Sequence, residues 1–303
     1  MNFLLRRLAQ IPLVALFVAS LCFFLMRILP GSPFDKERAG TEAAKAATAT
    51  KYHLDQSLPK QYLLWLADVS RGDLGPSLKY RNHSVNDILS QSFPVSFTLG
   101  WLAFGVALGV GLPMGAWAAV RAGSWGDWGA AFLVMLGVCV PPFIVGPLLV
   151  LIFALKLNWF PAAFWGGALN AILPVTALGL FFSARVARLA REGIGEALRS
   201  EFIRAVRAKG VSEFAILTRH AFRLGLLPVL SYCGPMLADL LTGSFVVESV
   251  FQIPGTGTFF INAFNNKDYT MIVGITLVYA GLLLVLNLVV DLAYAWLDPR
   301  VRN

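Results

Sequence analysis

Sulfur and imidazole are scarce in this 303-residue chain, which holds three cysteines, Cys22, Cys139 and Cys233, and three histidines, His53, His83 and His220. The cysteines fall in separate apolar segments with no Cys-x-x-Cys or Cys/His cluster, which argues against a disulfide framework and a zinc site. The histidines stand apart from one another, so catalytic histidine chemistry has no visible partner and surface positions are expected. No Gly-x-x-x-x-Gly-Lys-Ser/Thr stretch occurs, so no loop of that kind cradles a nucleotide. Gly255-Thr-Gly257, after Pro254, lacks the strand and helix of a dinucleotide site and reads as a tight outer turn. Charge is scarce as well, 14% of residues against 57% hydrophobic.

What fills the chain instead is apolar sequence in runs of about 20 residues, the length that matches a ~30 Å hydrocarbon layer. Arg6 and Arg7 precede the first run, Leu8 to Leu29, which has no small-residue cleavage site before Pro30-Gly31 and reads as a retained span. Further runs cover about 95–120, 129–155, 168–190, 226–247 and 271–297. The expected fold class is all-α, a polytopic membrane protein with six transmembrane helices and both termini on one side.

Positive charge identifies that side. Nine basic residues lie between the fourth and fifth runs or at their edges: Arg185, Arg188, Arg191, Arg199, Arg204, Arg207, Lys209, Arg219 and Arg223. With Arg6, Arg7, Arg121, Arg300 and Arg302 they make fourteen of the twenty-five Lys and Arg residues on one face, which places both termini and this loop in the cytoplasm. Topology accounts for the net charge of +8 without nucleic acid as a partner; membrane lipid is the surrounding phase.

The basic loop is patterned. At 100° per residue, Phe202, Ile203, Ala205 and Val206 form an apolar arc while Ser200, Glu201, Arg204 and Arg207 face away. Gly210 permits the left-handed turn that ends a helix. Ser212 and Glu213 start a second helix, with Phe214, Leu217 and Ala221 on one side and Arg219, His220 and Arg223 opposite. The long section from Gly31 to Phe93 lies outside. In it, Pro59 opens an amphipathic helix over Gln61–Val69 that Gly72 ends, and Ser84-Val-Asn-Asp87 starts a second. Both are expected on the outer membrane surface or on a partner's outer loops.

Glu201-Phe-Ile-Arg-Ala-Val-Arg-Ala-Lys-Gly210-Val-Ser-Glu213, followed by Arg219-His-Ala-Phe-Arg223 and Leu226-Leu-Pro-Val-Leu230, resembles the cytoplasmic loop of binding-protein-dependent ABC importer permeases of the peptide and nickel branch. The likeness extends through Met26-Arg-Ile-Leu-Pro-Gly-Ser-Pro-Phe34, Lys51-Tyr-His-Leu54, Gly72-Asp-Leu-Gly-Pro-Ser77, Ser92-Phe-Pro-Val-Ser96, Gly243-Ser-Phe-Val-Val-Glu248 and Asn287 to Arg300, which look like the B-type permeases of oligopeptide importers. Two departures stand out. Arg204-Ala205-Val206 occupies the place of the Glu-Ala-Ala triplet of many importers, and Cys139 sits where a serine is expected.

The resemblance implies a type I ABC importer permease fold. Its divisions would be a first transmembrane helix at 1–30, a periplasmic helical insertion at 31–93, a permease core at 94–298 carrying a coupling loop at 191–225, and a cytoplasmic tail at 299–303. It implies half of a path for oligopeptides across a bacterial inner membrane, with dipeptides, nickel or another small solute as alternatives. The implied partners are a second homologous permease, two ATPase subunits that bind the ATP and Mg, and a periplasmic peptide-binding protein; the chain itself needs no cofactor and is no enzyme. The coupling residues it implies are Phe202, Arg204, Val206, Lys209 and Gly210. A charge at mid-membrane costs roughly 2.5–3.5 kcal/mol on insertion scales, so Asp239, Glu248 and Asp291 must face protein or a wet cavity. Asp239 fits the translocation pathway or a buried structural hydrogen bond, Glu248 an outer gate, and Asp291 an anchor or a partner of an arginine. Two other classes are a membrane receptor or scaffold without transport, and an intramembrane hydrolase using Asp239 and Asp291, for which no supporting motif exists.

Overall fold

The computed structural model describes residues 2–28, 56–80, 82–241 and 243–297, and these are helical throughout apart from turns and one isolated bridge between Pro76 and Ser84. The helices are α1 (Asn2–Ile28), α2 (Leu58–Ser70), α3 (Val85–Val120), α4 (Trp125–Cys139), α5 (Pro142–Leu149, continued by a π-helix over Val150–Lys156), α6 (Ala168–Arg199) and α7 (Glu201–Ala208). Next comes α8, built of Glu213–Ala215, a π-helix over Ile216–Ala221 and Phe222–Gly225, and then α9 (Leu227–Leu241), α10 (Phe245–Val250), α11 (Thr256–Asn266) and α12 (Tyr269–Leu297). The motif Lys51–Leu54, with His53 and most of the outer section's first half, lies outside the described residues. So do Arg300, Arg302, the tail at 299–303 and the side chain of Cys139.

Among the described residues, five stretches are long and apolar enough to cross a membrane: Ala9–Ile28, Val85–Val120, Ala168–Arg199, Leu227–Val250 and Tyr269–Ala293. The run expected as one span at 129–155 is instead broken in two. Pro142 has no N–H to donate and forces Pro141 into extended backbone, φ −64° and ψ 150°, so α4 stops at Cys139 and α5 begins afresh. Fifteen residues of α4 reach only about 22 Å, too short to cross alone. The fifth run is also interrupted, by Gly243 at φ +99°, where α9 gives way to α10.

The second run begins earlier than its hydropathy does. Ser84 and Asp87 form the expected reciprocal cap, Asp87 N to Ser84 Oγ at 3.1 Å and Ser84 N to Asp87 Oδ2 at 2.9 Å. The helix they start does not stop at position 93 but continues through Pro94 for 36 residues. That outer helix is therefore not a separate surface element. Nor does α2 lie free: Tyr62 and Trp65 pack edge-on and tilted against Phe23 of α1, Tyr62 Oη shares a 2.7 Å hydrogen bond with Ser20 Oγ, and Arg27 donates to Gln61.

The centre of the molecule is the pair α3 and α6, running side by side in one direction, as the rising register of Ala103 with Gly179 and Gly111 with Ser183 requires. Glycines at their seam admit backbone: a Cβ on Gly111 would lie 2.7 Å from Ser183 O, and one on Gly179 2.7 Å from Val106 Cβ. Small residues of this kind let membrane helices approach closely where lipid offers no hydrophobic driving force. A second, smaller core joins Val85, Ile88 and Leu89 to Ala263, Met271 and Ile275. There buried Asp268 accepts from Ser77 Oγ, Lys79 N, Thr270 Oγ1 and Met271 N, tying the Gly72–Ser77 turn to the start of α12.

Candidate functional site

The basic loop is a rigid elbow. Ser200, extended at φ −66° and ψ 150°, ends α6 and caps α7, its Oγ accepting from Ile203 N at 3.4 Å. Gly210 turns the chain at φ +79°, and Ser212 Oγ caps α8 through Ala215 N at 3.4 Å. Across the turn Arg207 grips Glu213 with both arms, Nε to Oε1 at 2.6 Å and Nη2 to Oε2 at 3.0 Å. The Arg207 hydrogen bond holds the Glu213 carboxyl below its ordinary pKa, so the strut stays charged at neutral pH.

Of the apolar arc, Ile203 alone is buried, with Val206 half-buried, while Phe202 is 52% exposed and meets His220 edge-on at 5.8 Å. Arg204, Lys209 and Gly210 are exposed, and Arg204 pairs with Glu201 at 2.9 Å. The second helix departs from its expected face. Phe214 is 77% exposed while Ala221, expected on the same side, is fully buried together with Ile216, because the π-helix over Ile216–Ala221 closes i to i+5 and shifts the phase. The loop thus carries two exposed aromatic rings on a scaffold anchored by Ile203 and Ile216. A cavity of about 410 Å³ lies beneath it, lined by Val120, Leu198, Arg199, Arg207, Phe214 and Leu217.

A bidentate ion pair, invisible in the basic pattern, fixes the helix that leads into this loop. Arg191 donates to Asp127 through Nε at 2.6 Å and Nη2 at 2.7 Å, and Gly123 N adds a third donor at 3.0 Å. Asp127 sits in the first turn of α4, ahead of the apolar run, and these bonds, Arg191 foremost, hold its carboxyl at a pKa of about 2.

The ionisable residues of the spans fall into different surroundings. Asp239 is exposed on α9, toward a cavity of about 460 Å³ whose wall includes Phe181 and Phe182 of α6, Phe245 of α10, Phe260 of α11 and Tyr279 of α12. Tyr279 Oη donates to Asp239 Oδ1 at 2.9 Å. Glu248 is 0% exposed. Ser96 Oγ donates to its Oε1 at 2.7 Å and Thr258 N to its Oε2 at 3.0 Å, while Thr256 N donates to Ser96 Oγ at 2.8 Å. A Cβ on Gly243 or Gly255 would come within 2.5 Å of the Glu248 carboxylate, so the glycine turns enclose this acid. Asp291 is half-buried on α12. Asp239 and Asp291 are 52 residues apart in separate helices, and only Asp239 lines the 460 Å³ cavity.

Sequence reasoning missed Asp127, Tyr279, Ser96 and Thr258. Asp127 had a faint signal, an acid beside an apolar run in a face otherwise rich in arginine. Tyr279 had none, since nothing in periodicity tells which of α12's side chains meets α9.

Residues 111–303 match the family of binding-protein-dependent transport system inner membrane components. Over 304 residues the chain is 43% identical to the oligopeptide transport system permease protein OppB of Haemophilus influenzae, covering 100% of this chain and 99% of that one. It is 43% identical to OppB of Escherichia coli K12, with 100% and 99% covered. To the dipeptide transport system permease protein DppB of Bacillus subtilis it is 41% identical, with 99% and 98% covered. Its fold is similar to that of the inward-facing MetNI methionine ABC transporter, at a TM-score of 0.59 and 13% identity over 70% of this chain and 96% of that one. An amino acid ABC transporter solved with histidines matches at 0.52 and 18% identity, over 68% and 92%. Apolar spans, a capped basic loop helix and full-length likeness to permeases agree: the chain belongs to the family of binding-protein-dependent ABC importer permeases.

Proposed function

We propose that this permease forms half of a translocation path for peptides across a bacterial inner membrane, paired with a second homologous permease. Both termini and the basic loop lie in the cytoplasm. Two ATPase subunits bind ATP and Mg, and a periplasmic peptide-binding protein delivers substrate. The observation that carries the reading is α7: Phe202 stands half in solvent on a helix anchored from below by Ile203 and braced by Arg207 and Glu213. A half-exposed aromatic ring on a rigid two-helix elbow suits a cleft on the ATPase, where closure of the nucleotide sites would push on α6 and α9. Arg204, Val206, Lys209 and Gly210 complete that contact. Asp239 belongs to the path, and Glu248 braces its outer end. Peptides of two residues are the second reading, since the likeness to a dipeptide permease nearly equals that to the oligopeptide permeases.

The test is reconstitution of the full complex in liposomes with labelled peptides of two to five residues. Uptake should need ATP on the loop side. Phe202→Ala should weaken ATPase docking by about 2 kcal/mol, the usual loss for a buried aromatic anchor, and so lower coupled uptake while the chain still inserts. Normal uptake by Phe202→Ala refutes the docking role, and ATP-independent uptake refutes the importer reading.

A further inference from the structure

We propose that the cavity at Asp239 is a subsite for the positively charged group of a passing peptide, the ammonium of its amino terminus or of a lysine side chain. The inference deepens the peptide reading above and rests on it.

Depth comes first. Tyr279, whose hydroxyl holds Asp239, lies ten residues into α12, so about 15 Å along the helix axis at 1.5 Å per residue. That is half of a ~30 Å hydrocarbon layer. A carboxylate there is costly against lipid, about 2.5–3.5 kcal/mol on insertion scales, and is tolerated where it faces a wet space. Asp239 faces a cavity rather than packed side chains: it is exposed, and the cavity beside it measures about 460 Å³, within the ~300–1,000 Å³ typical of small-ligand sites.

The chemistry of the lining selects the guest. Phe181, Phe182, Phe245 and Phe260 supply ring faces, and the negative face of an aromatic ring attracts cations. Tyr279 donates a hydrogen bond to Asp239 Oδ1 and so fixes the carboxylate at the cavity wall. An acid set among rings favours an ammonium over a carboxylate or a neutral amide. The contrast with Glu248, nine residues on, is instructive. Its two oxygens are taken by Ser96 and Thr258 and its surroundings are closed, which makes it a brace. Asp239 is set open to the cavity, and a purely structural acid gains nothing from that exposure.

The experiment uses the complete complex in liposomes and three labelled tripeptides, Ala-Lys-Ala, Ala-Glu-Ala and Ala-Ala-Ala, each with a free or an acetylated amino terminus. The binding protein is the same throughout, so its own preference cancels when variant and wild type are compared as ratios. Asp239→Asn keeps shape and removes charge. It should lower the Lys-to-Glu uptake ratio about tenfold, the scale of one charged hydrogen bond, and shrink the advantage of free over acetylated termini. Tyr279→Phe, which leaves the charge and removes its anchor, should move both ratios the same way by a smaller factor. An Asp239→Asn complex with unchanged ratios overturns the subsite alone. Should the Asn variant not assemble, Tyr279→Phe and Asp239→Glu decide: shifted ratios support the subsite and unshifted ratios overturn it. A wild-type complex that imports none of the peptides overturns the peptide reading, and this subsite falls with it.

Discussion

Asp127→Asn isolates the clasp that fixes the start of α4 to the helix leading into the basic loop. The amide keeps the size of the carboxylate and one oxygen for Gly123 N, but it loses the two charged bonds from Arg191. A hydrogen bond to a charged group contributes about 1.5–3 kcal/mol net. The Asp127 side chain is 7% exposed and that of Arg191 40%, so solvent screens part of this and the pair lies well short of the 3–5 kcal/mol lost on breaking a fully buried one. The expected cost is about 1–2 kcal/mol. It should appear as a lower thermal midpoint of the purified complex and as more ATP hydrolysed per peptide moved, because α6 would hold the loop less firmly. Arg191→Lys, which keeps charge but not the two-armed geometry, should fall between. The pH response has a definite sign. A carboxyl held at about 2 rather than near 3.8 contributes stability above about pH 4, and that contribution is lost as pH falls through 2. From pH 5 to 8 the gap between wild type and Asp127→Asn should therefore be constant. Equal midpoints and equal coupling in the two proteins would refute the clasp.

Two further expectations concern the loop. Gly210 sits at φ +79° and a Cβ there would meet nothing within 4 Å, so Gly210→Val acts through backbone strain alone, about 1–2 kcal/mol; ATP-driven uptake should drop with insertion intact, Gly210→Asn should retain more of it, and normal uptake by the valine variant would show that the turn does not couple. Orientation is read with an impermeant thiol reagent on sealed cells whose native cysteines are replaced: Asn265→Cys, exposed in the last turn of α11, should react from outside and Ser200→Cys should not, and the reverse pattern would invert the topology.

The spans were legible because apolar length is written residue by residue, and the loop because its turn and caps are local. Ser200, Gly210, Ser212, Ser84 and Asp87 all perform the local work their chemistry suggests. What failed depended on phase or on distant partners. The 129–155 run was counted as one span although Pro141-Pro142 stood inside it; hydropathy averages over a break that backbone chemistry enforces. Phe214 was placed on one side with Leu217 and Ala221 by a 100° period that the π-helix at Ile216–Ala221 does not keep. Asp239 and Glu248 look alike in sequence, one acid inside an apolar run and one at its end, and differ because Gly243 bends the chain between them, leaving one beside the cavity and the other inside a shell of Ser96, Thr258 and glycine.

The packing around the loop argues that a load on α7 is passed on rather than absorbed. Ile203 and Ile216 seat the elbow without exposed area. Gly225 lies so close to α6 that an added Cβ would be 2.5 Å from Ile194 Cα, and Gly193 meets the Gly225 carbonyl in the same crossing. The second arm of the elbow is therefore in backbone contact with α6, with no long side chain between them to yield. That helix shares its glycine and alanine seam with α3, which in turn admits the carbonyl of Leu240 at Gly100, one residue from Asp239. Close-packed seams of this sort shift between discrete arrangements more readily than they deform. On the proposed reading, a displacement entering at Phe202 would move α6 and α3 together, and the element it would reach at the far end of that chain of contacts is α9, beside the cavity where the substrate's charge would rest.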